Sequence, residues 1–100
     1  MSLHLAFLIY ATQTVPRSQL DEIMANVIAQ FMKDEKDFEE ALKLSKIIKM
    51  DLQILAKAAV MKFGEDAIKF KDLVEKEMKQ GEAWEKFVKR YVRFFSRQKA

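Results

Sequence analysis

Residues 20–32 read LDEIMANVIAQFM. The apolar side chains of Leu20, Ile23, Met24, Val27, Ile28, Phe31 and Met32 recur at i, i+3, i+4, i+7, i+8, i+11 and i+12. A strand, with its period of two, cannot generate that spacing, and a helix carrying one apolar stripe does so directly. Upstream, Ser18 and Asp21 have the spacing of a capping box, with Asp in place of the usual Glu. Pro16, with Thr14 before it, separates this helix from whatever precedes it, because proline is tolerated only in a helix's first turn. Downstream the stripe stops at Lys33-Asp34-Glu35-Lys36-Asp37, where Asp34 or Asp37 is suited to cap the next helix.

The same period extends outward. Phe38, Ala41, Leu42, Ser45 and Ile48 form a third pattern, and Leu52, Leu55, Ala56, Ala59, Val60 and Phe63 a fourth. Only Met50-Asp51 stands between them and neither residue breaks a helix strongly, so residues 38–63 read as one helix or two. Gly64 stands where a glycine ends a helix, and Glu65-Asp66 can start another. Ala67, Phe70, Val74 and Met78 carry the period to a second glycine stop at Gln80-Gly81. Trp84, Phe87, Val88, Tyr91 and Phe95 form the last stripe. Two glycines and one proline in 100 residues leave little material for the turns of a sheet. The expected fold is an all-α single domain over residues 1–100, a compact bundle of five or six short amphipathic helices with short connections. One constant offset carries Phe31, Asp34, Phe38, Glu40 and Leu42 onto Phe63, Asp66, Phe70, Asp72 and Val74. Two imperfect copies of an amphipathic pattern read as a generic bundle rather than a solenoid repeat.

The N-terminal run LHLAFLIYA, residues 3–11, is too short for a bilayer span of roughly 20 apolar residues. No Lys or Arg precedes it and no small-residue cleavage site follows, so a buried first helix is expected rather than a secretory signal. Alternation of Leu3, Leu5, Phe7 and Ile9 also fits a strand, but a lone strand would have no partner. Eleven aromatic residues are a heavy complement for so small an interior. Part of the apolar surface is therefore expected to meet another subunit, in a homodimer joined through Leu5, Phe7, Leu8 and Ile9.

Most catalytic chemistry lacks its residues. There is no Cys, and the one His is His4, inside the apolar run, so triads, thiolate nucleophiles and His- or Cys-based metal sites are excluded. Asp34, Glu35, Asp37, Glu39 and Glu40 lack the spacing and the glycine of a calcium loop and read as a solvated helix start. No phosphate loop, dinucleotide fingerprint or nucleophile elbow is present. A helix-turn-helix around Phe63-Gly64-Glu65-Asp66 would need a more basic recognition helix than residues 67–79 provide. The expectation is a non-enzyme with no catalytic residue, metal or cofactor.

Charge is the informative feature. Residues 1–81 hold 12 Lys or Arg against 13 Asp or Glu, whereas residues 82–100 hold six against two. The net charge of +3 therefore originates entirely in the last helix, about residues 82–98, which also has three of the four arginines. At 100° per residue Lys86, Arg90, Arg93 and Arg97 lie within about 40° of one direction, with Lys89 about 60° to one side. Trp84, Phe87, Val88, Tyr91, Phe94 and Phe95 take the opposite arc, Phe94 at its edge. Lys86, Lys89, Arg90, Arg93 and Arg97 are the expected nucleic-acid-binding residues, contacting RNA or DNA backbone without strong sequence specificity. Three other readings remain: an acidic protein partner, a membrane surface as a weaker alternative, and a basic face that is only solvated surface on a protein-interaction module or structural homodimer.

Ser18-Gln19-Leu20 opening a helix, residues 52–59 in the middle and Trp84-Glu85-Lys86-Phe87-Val88-Lys89-Arg90-Tyr91 near the end together resemble the small all-α subunit of type III CRISPR effector complexes. The aromatic, arginine-bearing central helix and acidic-aromatic ending of that family are not matched. The resemblance carries over no residue roles and implies only a subunit of a larger assembly. Absence of Cys fits a reducing compartment, so a cytoplasmic location is expected. Fourteen Lys and nine Glu against a single Asn give a thermophile-like composition.

Overall fold

Leu3, Ala6, Phe7 and Tyr10, at i, i+3, i+4 and i+7, are the buried face of the first helix, α1 (Leu3–Thr12). The computed structural model describes residues 3–12 and 17–99, with the side chains of Arg17, Ser18 and Lys99 outside that description. The expected break at Thr14-Pro16 and the capping role of the Ser18 side chain lie outside the described residues. Asp21, the other member of the expected capping box, accepts a 2.8 Å hydrogen bond from the Tyr10 hydroxyl and so ties α1 to α2 (Arg17–Phe31).

The Lys33–Asp37 segment forms a reciprocal cap. The Asp34 carboxylate accepts the Asp37 N–H at 3.0 Å, and the Asp37 carboxylate accepts the Lys33 N–H at 2.8 Å, opening α3 (Glu35–Ile47). Residues 38–63 prove to be two helices. Ile48 ends α3, and Lys49 turns left-handed at φ 56°. The Met50 N–H reaches the Ser45 carbonyl at 2.9 Å and the Lys49 N–H reaches that of Lys46 at 3.4 Å. This is the paired closure of a Schellman motif, built on lysine where glycine is usual. Asp51 then caps α4 (Leu52–Phe63) by accepting the Gln53 N–H at 2.9 Å.

Gly64, at φ 62° and ψ −139°, ends α4 in a region that side chains with a Cβ avoid. The chain continues as a 3₁₀ segment, Gly64–Phe70, rather than the α-helix expected from the periodicity. Its two buried residues, Ala67 and Phe70, are three apart, matching three residues per turn. From Phe70 to Val74 to Met78 the spacing becomes four, and α5 (Lys71–Met78) is α-helical. Asp34–Leu42 and Asp66–Val74 therefore differ in conformation, and the sequence echo is not a structural repeat. Nor does the Gly64 turn lead into a recognition helix.

The second stop also differs from expectation. Lys79, at φ 57°, takes the left-handed position, and Gly81 begins α6 (Gly81–Lys99). A Cβ on Gly81 would stand 2.8 Å from the Glu75 carboxylate oxygen, which accepts the Gly81 N–H at 2.8 Å and so caps α6 from α5.

Among the described residues the protein is thus six α-helices and one 3₁₀ segment with no strand, an all-α bundle with a Cα radius of gyration of 12.7 Å. The central helix is α4, which packs on α2, α3, α6 and the 3₁₀ segment. Its Leu52, Ile54, Leu55, Ala56, Ala58, Ala59 and Val60 are all buried, and the small alanines allow close approach from several sides. Rings knit the other elements together. Phe38 of α3 stacks on Phe70 with centroids 4.2 Å apart, and Trp84 of α6 meets Phe38 edge-on at 5.1 Å. The buried Trp84 indole N–H donates to the Ala67 carbonyl at 3.0 Å. Every aromatic residue except Phe94 is buried or half-buried, so the aromatic content does not by itself call for a second subunit.

Candidate nucleic-acid interface

The last helix divides as its sequence implies. Trp84 and Val88 are fully buried, while Phe87, Tyr91, Val92 and Phe95 pack half-buried against the core. These contacts fix the rotation of α6 about its axis, and the rotation leaves Lys86, Lys89, Arg90, Arg93 and Arg97 exposed on the outer face. From Lys86 to Arg97 the stripe extends about 16 Å along the helix.

The five cations are not equivalent. Lys89 lies 3.8 Å from Glu85, which is also 3.5 Å from Lys71 of α5. Lys86, Arg90, Arg93 and Arg97 have no carboxylate partner within 4.0 Å among the described residues. The Arg90 guanidinium lies over the Phe87 ring, 5.7 Å from its centroid, an arrangement that limits its freedom. On one flank of the stripe, a groove of about 560 Å³ between the 3₁₀ segment and α6 is walled by Glu65 and Asp66 opposite Lys89 and Arg93, over apolar Val88 and Val92. On the other flank are Phe94, 44% exposed, and Lys57 of α4, whose Nζ is 6.0 Å from the Phe94 ring centroid. Phe94's exposure follows from its place at the edge of the aromatic arc, whereas the position of Lys57 beside it does not, since the pairing of α4 with α6 is a tertiary fact.

The expected dimer surface needs a correction. Phe7 is 1% exposed and belongs to the core, because α1 turns it, with Leu3, Ala6 and Tyr10, toward α2 and α3. Leu5, Leu8 and Ile9 are exposed, Leu8 at 59%. The run is apolar all round, so its pattern gave no way to tell the docked face from the outer one.

Other polar groups are engaged in structure. His4 is exposed and pairs with Glu40 at 2.9 Å, while Glu39 pairs with Lys43 at 3.4 Å. Ser45 is fully buried and donates its hydroxyl to the Leu42 carbonyl. No group of three His, Cys, Asp or Glu side chains among the described residues is placed to hold a metal ion. No described helix is long and apolar enough to cross a membrane. In comparison with known proteins the chain matches no family model, no curated protein and no solved structure, so the resemblance to small type III CRISPR subunits gains no support.

Proposed function

We propose that this protein is a non-enzymatic helical subunit whose last helix binds nucleic-acid backbone with little sequence selectivity. The observation that carries the reading is the exposed row of Lys86, Arg90, Arg93 and Arg97, all without a carboxylate partner among the described residues, on a helix whose other face is locked into the core. Such a row neutralises phosphates and releases their counterions, and guanidinium groups add bidentate hydrogen bonds to phosphate oxygens. A membrane-surface role fits less well: α6 would have to leave the bundle to present Trp84 and Phe87 to lipid, at the cost of the Trp84–Ala67 hydrogen bond and the Phe38 contact.

Fluorescence anisotropy with labelled RNA and DNA at about 50 and about 200 mM salt tests the proposal. Wild-type protein is expected to bind more weakly at the higher salt, and the Arg90→Gln, Arg93→Gln, Arg97→Gln triple variant to lose binding while keeping its far-ultraviolet circular dichroism. Absence of wild-type binding at the lower salt overturns it, and an acidic protein partner then becomes the reading to pursue.

A second reading is supported by Leu5, Leu8 and Ile9, which form an uncharged exposed strip on α1. In that reading the chain is a protein-interaction module or a structural homodimer joined through α1, and the basic face is solvated surface. Sedimentation velocity separates the two: a dimer that Leu8→Gln dissociates supports this reading, and a monomer at every concentration opposes the homodimer.

A further inference from the structure

We infer that the ligand of α6 is a single strand, held with one base stacked on Phe94 and phosphates on Arg90 and Arg97. The inference rests on the proposed function and specifies its ligand. Phe94 is the one exposed aromatic side chain among the described residues. Arg90 is four residues before it and Arg97 three residues after it, so on the helix surface they are its neighbours on the side of the basic stripe. The ring meets Phe95 edge-to-face with centroids 5.3 Å apart, and the Lys57 ammonium of α4, paired with Glu22 at 3.8 Å, lies 6.0 Å from its centroid.

The exposed Phe94 ring distinguishes this flank from the other. A polyanion moving toward Lys89 and Arg93 meets Glu65 and Asp66 across the groove, whereas a path over Lys86, Arg90 and Arg97 passes Phe94, beside which Lys57 is paired with Glu22 at 3.8 Å. The presence of an exposed ring beside the phosphate contacts separates single strands from duplexes. In a duplex the base faces are covered by neighbouring bases, and exposing one requires unstacking. A single strand offers a phosphate and a free base face at every nucleotide, the combination found in sequence-tolerant single-strand sites. Guanidinium, ammonium and phenyl groups read charge and ring faces, which RNA and DNA share, so the two are expected to bind within a few-fold of each other.

The test is anisotropy with fluorescein-labelled single-stranded RNA, single-stranded DNA of the same sequence, and the matching DNA duplex, each of about 12 nucleotides per strand. Phe94→Ala is expected to weaken single-strand binding by roughly 5- to 150-fold, the range of one lost stacked base, and duplex binding by less than about twofold. Phe94→Trp is expected to restore single-strand affinity. Single-strand binding unchanged in Phe94→Ala but reduced in the double variant Arg90→Gln, Arg97→Gln would overturn the stacking inference and leave backbone recognition standing. Equal weakening of duplex and single strand would overturn it as well. Failure of the wild-type protein to bind any of the three probes would remove the proposed function itself.

Discussion

Lys49 and Lys79 hold left-handed backbone, at φ 56° and 57°, in the positions that end α3 and α5. A side chain with a Cβ is strained there and glycine is not, so Lys49→Gly and Lys79→Gly are each expected to raise stability by about 0.5 to 1 kcal/mol, after the glycine's greater unfolded-state freedom is subtracted. Urea unfolding checks this, and a lowered midpoint would contradict it. Tyr91 gives a prediction with a sign. Burial pushes its phenol above the usual value, with Asp51 adding to the rise and Arg90 opposing it. The folded state then holds that proton more tightly than the unfolded chain, whose tyrosine titrates near 10. The resulting stability is fully present below about pH 10 and is lost as pH climbs through the folded-state value. Between about pH 9 and about pH 11 the urea midpoint should therefore fall further for the wild type than for Tyr91→Phe, and equal losses would contradict the burial argument. Both lysines escaped the sequence reading because the conformation that glycine favours is imposed here by the Met50–Ser45 closure and the start of α6, not by residue type.

At the scale of elements, α1 shows what an apolar pattern does and does not specify. Leu3, Ala6, Phe7 and Tyr10 are inside while Leu5, Leu8 and Ile9 are outside, in a run where either face is apolar enough to dock. Phe7→Ala is expected to cost about 3 to 5 kcal/mol, the range for an aromatic ring removed from a filled core. Leu8→Gln is expected to change monomer stability by no more than about 0.5 kcal/mol. Urea unfolding of the two variants below the concentration of any self-association checks the pair, and a large loss in Leu8→Gln would mean that α1 docks through its other face. Elsewhere the helical faces were legible. Phe38, Ala41 and Leu42 of α3, and Leu55, Ala56 and Ala59 of α4, are buried as their spacing implies. The break between those helices was not, because Asp51 becomes a cap only once α3 has closed on Lys49. Substitution of 3₁₀ for α-helix after Gly64 was equally hidden, since its Ala67–Phe70 spacing of three is common to both conformations. Gly81 misled for a physical reason: it is needed for the approach of the Glu75 carboxylate, not for a left-handed turn.

For the molecule as a whole, the decisive property is the separation of charge from core. Near-neutral residues 1–81 build most of the bundle, and α6 is inserted with its rings inward and its net positive charge outward. The composition of the basic face was readable from the sequence because helical periodicity alone sorts Lys86, Arg90, Arg93 and Arg97 from Trp84 and Val88. What surrounds that face was not, because Glu65, Asp66 and Lys57 reach it only through tertiary packing. The most direct test is the salt dependence of single-strand binding, plotted as log Kobs against log salt concentration. Engagement of Lys86, Arg90 and Arg97 predicts a slope of about −2.1, and Arg90→Gln with Arg97→Gln should bring it to about −0.7, since each contact with a single strand contributes roughly 0.7. A slope near zero, or one that the two substitutions leave unchanged, would contradict recognition through this face of α6.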